Sequence, residues 1–250
     1  MSSDRINGSS KYAALTGRMR DNEIARLVLI SLKNKYVYFP IPKNASSTIK
    51  HHLQNLEYLG SPYSAKKVHD PRYSPLLATY QLPVDLLEEA LSSEKYNRFV
   101  VVRHPVTRLL SCYLDRIQRG QTVARRRVSK WLKVDIDAPI TLHQFVQAIC
   151  EHDDSELEKH FRLQTDFIAY PDISITTVVR FERMREELPE LFLKLGMEEL
   201  PSTDESFSPP ATDADSKIRQ HYDDKLLSMV QERYKRDMEA FGYDRIKLSD

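Results

Sequence analysis

The chain has 250 residues, 37 basic and 36 acidic side chains and a formal charge of +1. That length suits one compact α/β domain with a sizeable core, and the balanced charge excludes a global field for nucleic acid, so attraction for a polyanion has to come from local placement. Cys112 and Cys150 are the only cysteines, too few for a disulfide framework and without metal-ligand spacing.

Residues 1–21 are polar and read as a loosely ordered segment ahead of a single domain over 22–250. The apolar run Leu27–Leu32 is too short for a signal or a membrane anchor, so the chain reads as cytoplasmic, provided no targeting segment has been removed. Tyr36–Phe39 reads as a buried strand, followed by a tight polar turn and a helix over Ser46–Leu59 with Ile49, Leu53 and Leu56 toward the core. Gly60–Pro83, with four prolines, reads as a long loop of the kind that is usually functional. Asp85–Leu91 is a short helix, and Phe99–Val102 is a β-branched run suited to a parallel sheet buried on both faces. Pro105 opens a helix toward Gly120, with Leu109, Leu110, Tyr113, Leu114 and Ile117 as its apolar stripe.

A loop or short-helix region follows, and a basic run extends from the helix into it: Arg116, Arg119, Arg125, Arg126, Arg127, Lys130 and Lys133. It reads as a solvated face, with a grip on an anionic acceptor as the alternative. Trp131 inside it is either packed or a stacking surface for a sugar. Leu142–His152 is a helix, Ile173–Arg180 a strand, Glu186–Leu195 a helix, and Pro201–Asp215 a surface loop. Tyr234, Met238 and Phe241 share a helical face that Gly242 stops. Strands alternating with helices predict a central parallel sheet flanked by helices.

The strand, turn and helix start over Tyr36–Lys50 carry the first chemical signal. Lys43 precedes small residues and the hydroxyls of Ser46, Ser47 and Thr48. Free backbone N–H groups and the helix dipole make such a turn an anion cradle. The usual nucleotide loop, G-x-x-x-x-G-K-S/T, is absent: no glycine lies nearby, and the lysine comes before the small residues. Serine as a plain N-cap is the competing explanation. A second strand, turn and helix over Asn97–Tyr113 places Arg103 at the strand end and Ser111 two turns into the helix, a planar fork of donors plus a hydroxyl for a second phosphate.

Together these segments resemble the cofactor motifs of the sulfotransferases, in the branch that contains the carbohydrate sulfotransferases. Pro42–Lys50 follows the form P-K-x-G/A-x-S/T-x-x-K, and Arg103–Tyr113 follows R-D/E-P-x-x-R-L-x-S-x-Y, except that His104 stands where an acid is usual and Thr107 where Glu is common. Glu158–Gln164 is similar to an H-W-x-P-Q segment with Phe161 and Leu163 substituted, and Tyr234–Asp244 to a closing Y-x-x-D-x-x-x-F-G-Y element. The resemblance implies a P-loop-NTPase-like sulfotransferase fold and 3′-phosphoadenosine 5′-phosphosulfate (PAPS) as donor, with 3′-phosphoadenosine 5′-phosphate (PAP) as product and no metal. It also implies an acceptor hydroxyl, most readily on a glycan.

Residue by residue, the resemblance assigns Lys43, Asn44, Ala45, Ser46, Ser47, Thr48 and Lys50 to the 5′-phosphosulfate, and Arg103 and Ser111 to the 3′-phosphate. The acceptor needs a base, for which histidine titrates in the useful range. His69 in the long loop is the first candidate, His160 the competitor and Glu57 a third, while His51 and His52 read as packing or surface residues. Open beside this reading are an atypical P-loop kinase, transfer to a small-metabolite, lipid or peptide hydroxyl, and a nucleotide-binding protein without chemistry. Stable membrane insertion and nucleic acid are not expected, and the oligomeric state is not readable.

Overall fold

A computed structural model describes residues 10–63, 68, 70–196 and 217–248. Their contacts divide the chain into two compact units, Met1–Val102 with Thr165–Pro209 and Arg103–Gln164 with Pro210–Asp250. In chain order the strands are β1 (Leu29–Ser31), β2 (Tyr36–Phe39), β3 (Leu77–Ala78), β4 (Asn97–Val102) and β5 (Thr177–Arg180). The helices are α1 (Lys11–Thr16), α2 (Asp21–Leu27), α3 (Ser46–Glu57), α4 (Val84–Ser92), α5 (Pro105–Cys112), α6 (Val123–Leu132), α7 (Leu142–Cys150), α8 (Gln164–Phe167), α9 (Met184–Lys194), α10 (Ile218–His221), α11 (Asp224–Arg233) and α12 (Lys235–Phe241). Among the described residues no helix is long and apolar enough to cross a membrane.

The first unit holds one five-stranded sheet of order β3-β1-β2-β4-β5. The expected parallel sheet is its β2-β4-β5 part, with Phe39 opposite Val100 and Val102 opposite Arg180. β1 and β3 extend it antiparallel, so the whole sheet is mixed. Successive strand side chains point to opposite faces, yet Tyr36 to Phe39 and Phe99 to Val102 are all buried, as a sheet covered on both sides requires. One face packs Tyr36, Tyr38, Phe99, Val101 and Val179 against Ile49, Leu53 and Leu56 of α3 and Leu188, Leu191 and Phe192 of α9. Those three α3 residues are the stripe read from the sequence.

Three local readings change. Within residues 1–21, the described part from Ser10 onward is docked: Glu88 accepts from Lys11 N–H at 3.0 Å, and Leu15 is fully buried. The Gly60–Pro83 loop includes β3 and two short 3-10 turns. The last strand is shorter than Ile173–Arg180, because Ile173 N–H bonds back to Ala169 in a turn and pairing starts at Thr177. The Pro201–Asp215 loop lies outside the described residues.

The second unit has its own core, built by Val106, Leu109, Leu110, Ile117, Val128, Phe145, Ile149, Phe161, Leu226 and Val230. The helix opened by Pro105 runs as α5 to Cys112 and passes into a π-turn over Tyr113–Ile117, closed by Gln118 N–H to Tyr113 O at 2.9 Å. The basic run is largely α6 and is partly spent on structure. The Arg125 guanidinium donates to the carbonyls of Ile117, Ile136 and Ala138, and Arg127 to that of Glu156. Trp131 is packed, stacked on His152 at 4.0 Å and edge-on to Phe161 at 5.9 Å.

Candidate functional site

The β2–α3 turn reverses direction without glycine. Lys43 and Ala45 instead take left-handed backbone at φ 74° and 54°. Such a conformation costs an L-residue roughly 1–2 kcal/mol, so the surrounding contacts must hold it. Asn44 between them is one such contact. It is fully buried, and its Nδ2 donates to Val101 O in β4 at 2.8 Å. Its own N–H reaches back to Ile41 O at 3.3 Å. Asn44 therefore anchors the turn to the sheet.

α3 starts at Ser46 with Ala45 as N-cap, a residue that has no acceptor to offer the first-turn amides. The helix's first i→i−4 bond is Ile49 N–H to Ala45 O at 3.1 Å. The amides of Ser46, Ser47 and Thr48 precede it, at the positive end of the dipole. Serine as a plain N-cap is thus not the reason for this composition. Lys43 precedes the cradle and Lys50 follows one turn later; both are half-buried. Glu57 closes the other end of this 12-residue helix, about 16 Å along its axis. There its carboxylate accepts from Asn34 Nδ2 at 2.7 Å and Tyr36 Oη at 2.9 Å. That geometry removes Glu57 as a base for the Lys43 turn.

In the second unit Arg103 and Ser111 are both buried, at 3% and 1% exposure. Thr107, where Glu is common, has an Oγ1 that accepts from Arg103 Nε at 3.1 Å and donates to His104 O at 3.1 Å. His104, in the acid's place, is the N-cap of α5. Its Nδ1 accepts from Val106 N–H at 3.2 Å, so the ring proton sits on Nε2, which donates to Asp244 O at 3.0 Å. An imidazole acceptor thereby does the capping that an acid does at such a position.

His160 lies on the segment before α8. Its backbone N–H donates to Glu158 Oε2 at 2.8 Å, and Nδ1 sits 3.0 and 2.8 Å from the two carboxylate oxygens. Nδ1 therefore carries the proton and Nε2 is the acceptor. Burial works to raise the Glu158 carboxyl, but the hydrogen bonds and charge of His160, with Lys159 behind them, outweigh it and hold the group below the usual carboxylate range. A carboxylate that orients an imidazole is the arrangement a general base needs. His69 lies outside the described residues. Of the other histidines considered, His51 is exposed and His52 is buried beside Phe192, ring centroids 5.7 Å apart.

The residues from Lys43 to Lys50 thus form one group in the first unit, and Arg103, Ser111 and His160 belong to the second. Sequence reasoning passed over the parts that Thr107, Glu158, Gln164 and Asp237 play. The E-x-H spacing and the Y-x-x-D element were the available signals. Among the described residues no His, Cys, Asp or Glu side chains cluster to hold a metal ion.

No curated protein and no solved structure matches the chain. The model described as "Sulfotransferase family" matches residues 26–244, from α2 through the closing aromatic and acidic element. The chain belongs to the sulfotransferase family and is a sulfotransferase enzyme.

Proposed function

We propose that this enzyme moves the sulfuryl group of PAPS to a carbohydrate hydroxyl, with His160 as general base. The observation that carries the reading is the left-handed turn that sets Lys43 directly ahead of the N-terminus of the 12-residue helix α3, the positive end of its dipole. The Ala45–Thr48 amides and the Ser47 and Thr48 hydroxyls take the 5′-phosphosulfate, with Lys50 as a second positive charge. Arg103 and Ser111 take the 3′-phosphate, the group that separates this donor from ATP.

The donor supplies an activated sulfuryl group, open to in-line attack by the acceptor oxygen as the nucleotide phosphate leaves. The rest falls to the protein. Lys43 and the α3 dipole meet the negative charge that builds on the leaving oxygen. His160 Nε2 removes the acceptor proton while Glu158 fixes Nδ1–H, a contribution of ~10²–10⁴-fold for a base of this kind. A sugar acceptor is favoured by the family branch the motifs resemble and by exposed Tyr63 and Tyr73. The Tyr63 ring lies 6.1 Å from that of Tyr58, and together they offer flat amphipathic faces at the long loop.

The test is radiolabelled sulfuryl transfer from PAPS to a panel of glycan, lipid, peptide and small-metabolite hydroxyls. Glycan labelling that His160→Gln lowers ~10²–10⁴-fold, with PAP affinity retained, is the expected result. If that loss falls on His69→Gln instead, His69 is the base. Labelling confined to another hydroxyl class would remove the carbohydrate assignment.

A further inference from the structure

We infer that Gln164, itself held by Asp237, is a positioning residue for Arg103, and that Thr107 sets the plane of the Arg103 guanidinium. The inference rests on the assignment of Arg103 to the donor's 3′-phosphate. Arg103 follows directly on β4, where ladder pairing ends and a buried backbone N–H and C=O need new partners. Gln164, with 0% exposure, supplies both. Its Oε1 accepts from Arg103 N–H at 3.0 Å, and its Nε2 donates to Arg103 O at 2.8 Å. One amide spends both ends on a single residue, so its orientation is fixed by the donor and acceptor it meets.

Gln164 is held in turn. Its backbone N–H donates at 2.7 Å to Oδ2 of Asp237, a carboxylate with 0% exposure in the first turn of α12. Three residues earlier, Tyr234 Oη donates to Phe161 O at 2.5 Å. Tyr234 is the N-cap of α12 and Asp237 lies in its first turn, so the Y-x-x-D spacing lets the start of α12 grip the segment at Phe161 and at Gln164. From α5, the buried Arg108 adds a third hold, donating to Arg162 O at 2.8 Å. The chain is thereby fixed at Phe161, Arg162 and Gln164, and Gln164, the first residue of α8, fixes the backbone from which the Arg103 side chain leaves. The Thr107 bond to Nε completes the aim. A closing element that reads as structural in the sequence thus reaches the donor arginine through a single intermediary, Gln164.

Calorimetric binding of PAP and of adenosine 5′-phosphate to the full chain tests this, because the ratio of their dissociation constants isolates the 3′-phosphate. Arg103→Ala is expected to collapse the ratio. Gln164→Met, close in size and without the two bonds, is expected to lower it by about tenfold or more while affinity for adenosine 5′-phosphate stays unchanged. Thr107→Val is expected to lower it severalfold, and Arg103→Ala combined with Gln164→Met no further than Arg103→Ala alone. A ratio left intact by Gln164→Met, including an equal loss for both nucleotides, overturns the inference. Should that variant fail to fold, an unchanged ratio in Thr107→Val overturns it. A ratio that Arg103→Ala leaves intact would instead overturn the phosphate assignment itself, a different failure.

Discussion

Ala45 holds φ at 54° with its methyl against the core under α3, a position where most turns of this shape use glycine. Relief of the left-handed strain, roughly 1–2 kcal/mol, is offset by glycine's freer unfolded chain, roughly 0.4–1 kcal/mol. Ala45→Gly is therefore expected to be neutral or stabilising by up to about 1 kcal/mol, and Ala45→Val to cost about 1–3 kcal/mol. Denaturant midpoints check both; a glycine variant weaker by more than about 1 kcal/mol would mean the turn is not strained. Glu158 makes a pH prediction. Its folded-state carboxyl lies below its ordinary value, so the stability it adds is present above the ordinary carboxylate range and is lost as pH falls through the lowered value. Glu158→Gln is expected to be less stable than the wild type at pH 7, with the gap closing in acid. A gap constant between pH 7 and pH 3 would contradict the His160–Glu158 pairing.

At the scale of elements, α3 joins the two kinds of work this fold does. Its start presents amides and hydroxyls behind Lys43, and its end is pinned to the β1–β2 hairpin by Glu57. Glu57→Gln is expected to lower stability by about 1–3 kcal/mol, since the Asn34 and Tyr36 donors lose a charged acceptor, and to leave kcat unchanged. A fall in kcat of a hundredfold at unchanged stability would return Glu57 to the list of bases. β2, β4, α3 and the start of α5 were legible because each buries a continuous apolar run or stripe, which periodicity reports. β1 and β3 were not. Each has three residues or fewer, and the β1–β2 turn closes through Lys35 at φ 52° with neither glycine nor proline to announce it. The Lys43 and Arg103 segments were legible for a different reason, since their residue types sit next to each other in the chain. The role of Gln164 was hidden because its partners Arg103 and Asp237 are brought close only by folding, whereas Thr107–Arg103 and Glu158–His160 are local pairs whose spacing went unused.

At the scale of the molecule, a formal charge of +1 leaves no net field to gather a polyanionic nucleotide. On the proposed function, donor affinity rests on Lys43, Lys50, the α3 amides and Arg103. The most direct test is thermal unfolding of the full chain with PAP, beside ATP with magnesium. At 100 times its dissociation constant a ligand stabilises by ~2.7 kcal/mol, worth roughly 5–10 °C in a chain of this size. The account predicts a shift of that size with PAP, absent with ATP and lost in Arg103→Ala. No shift with PAP, or a larger one with ATP, would contradict it.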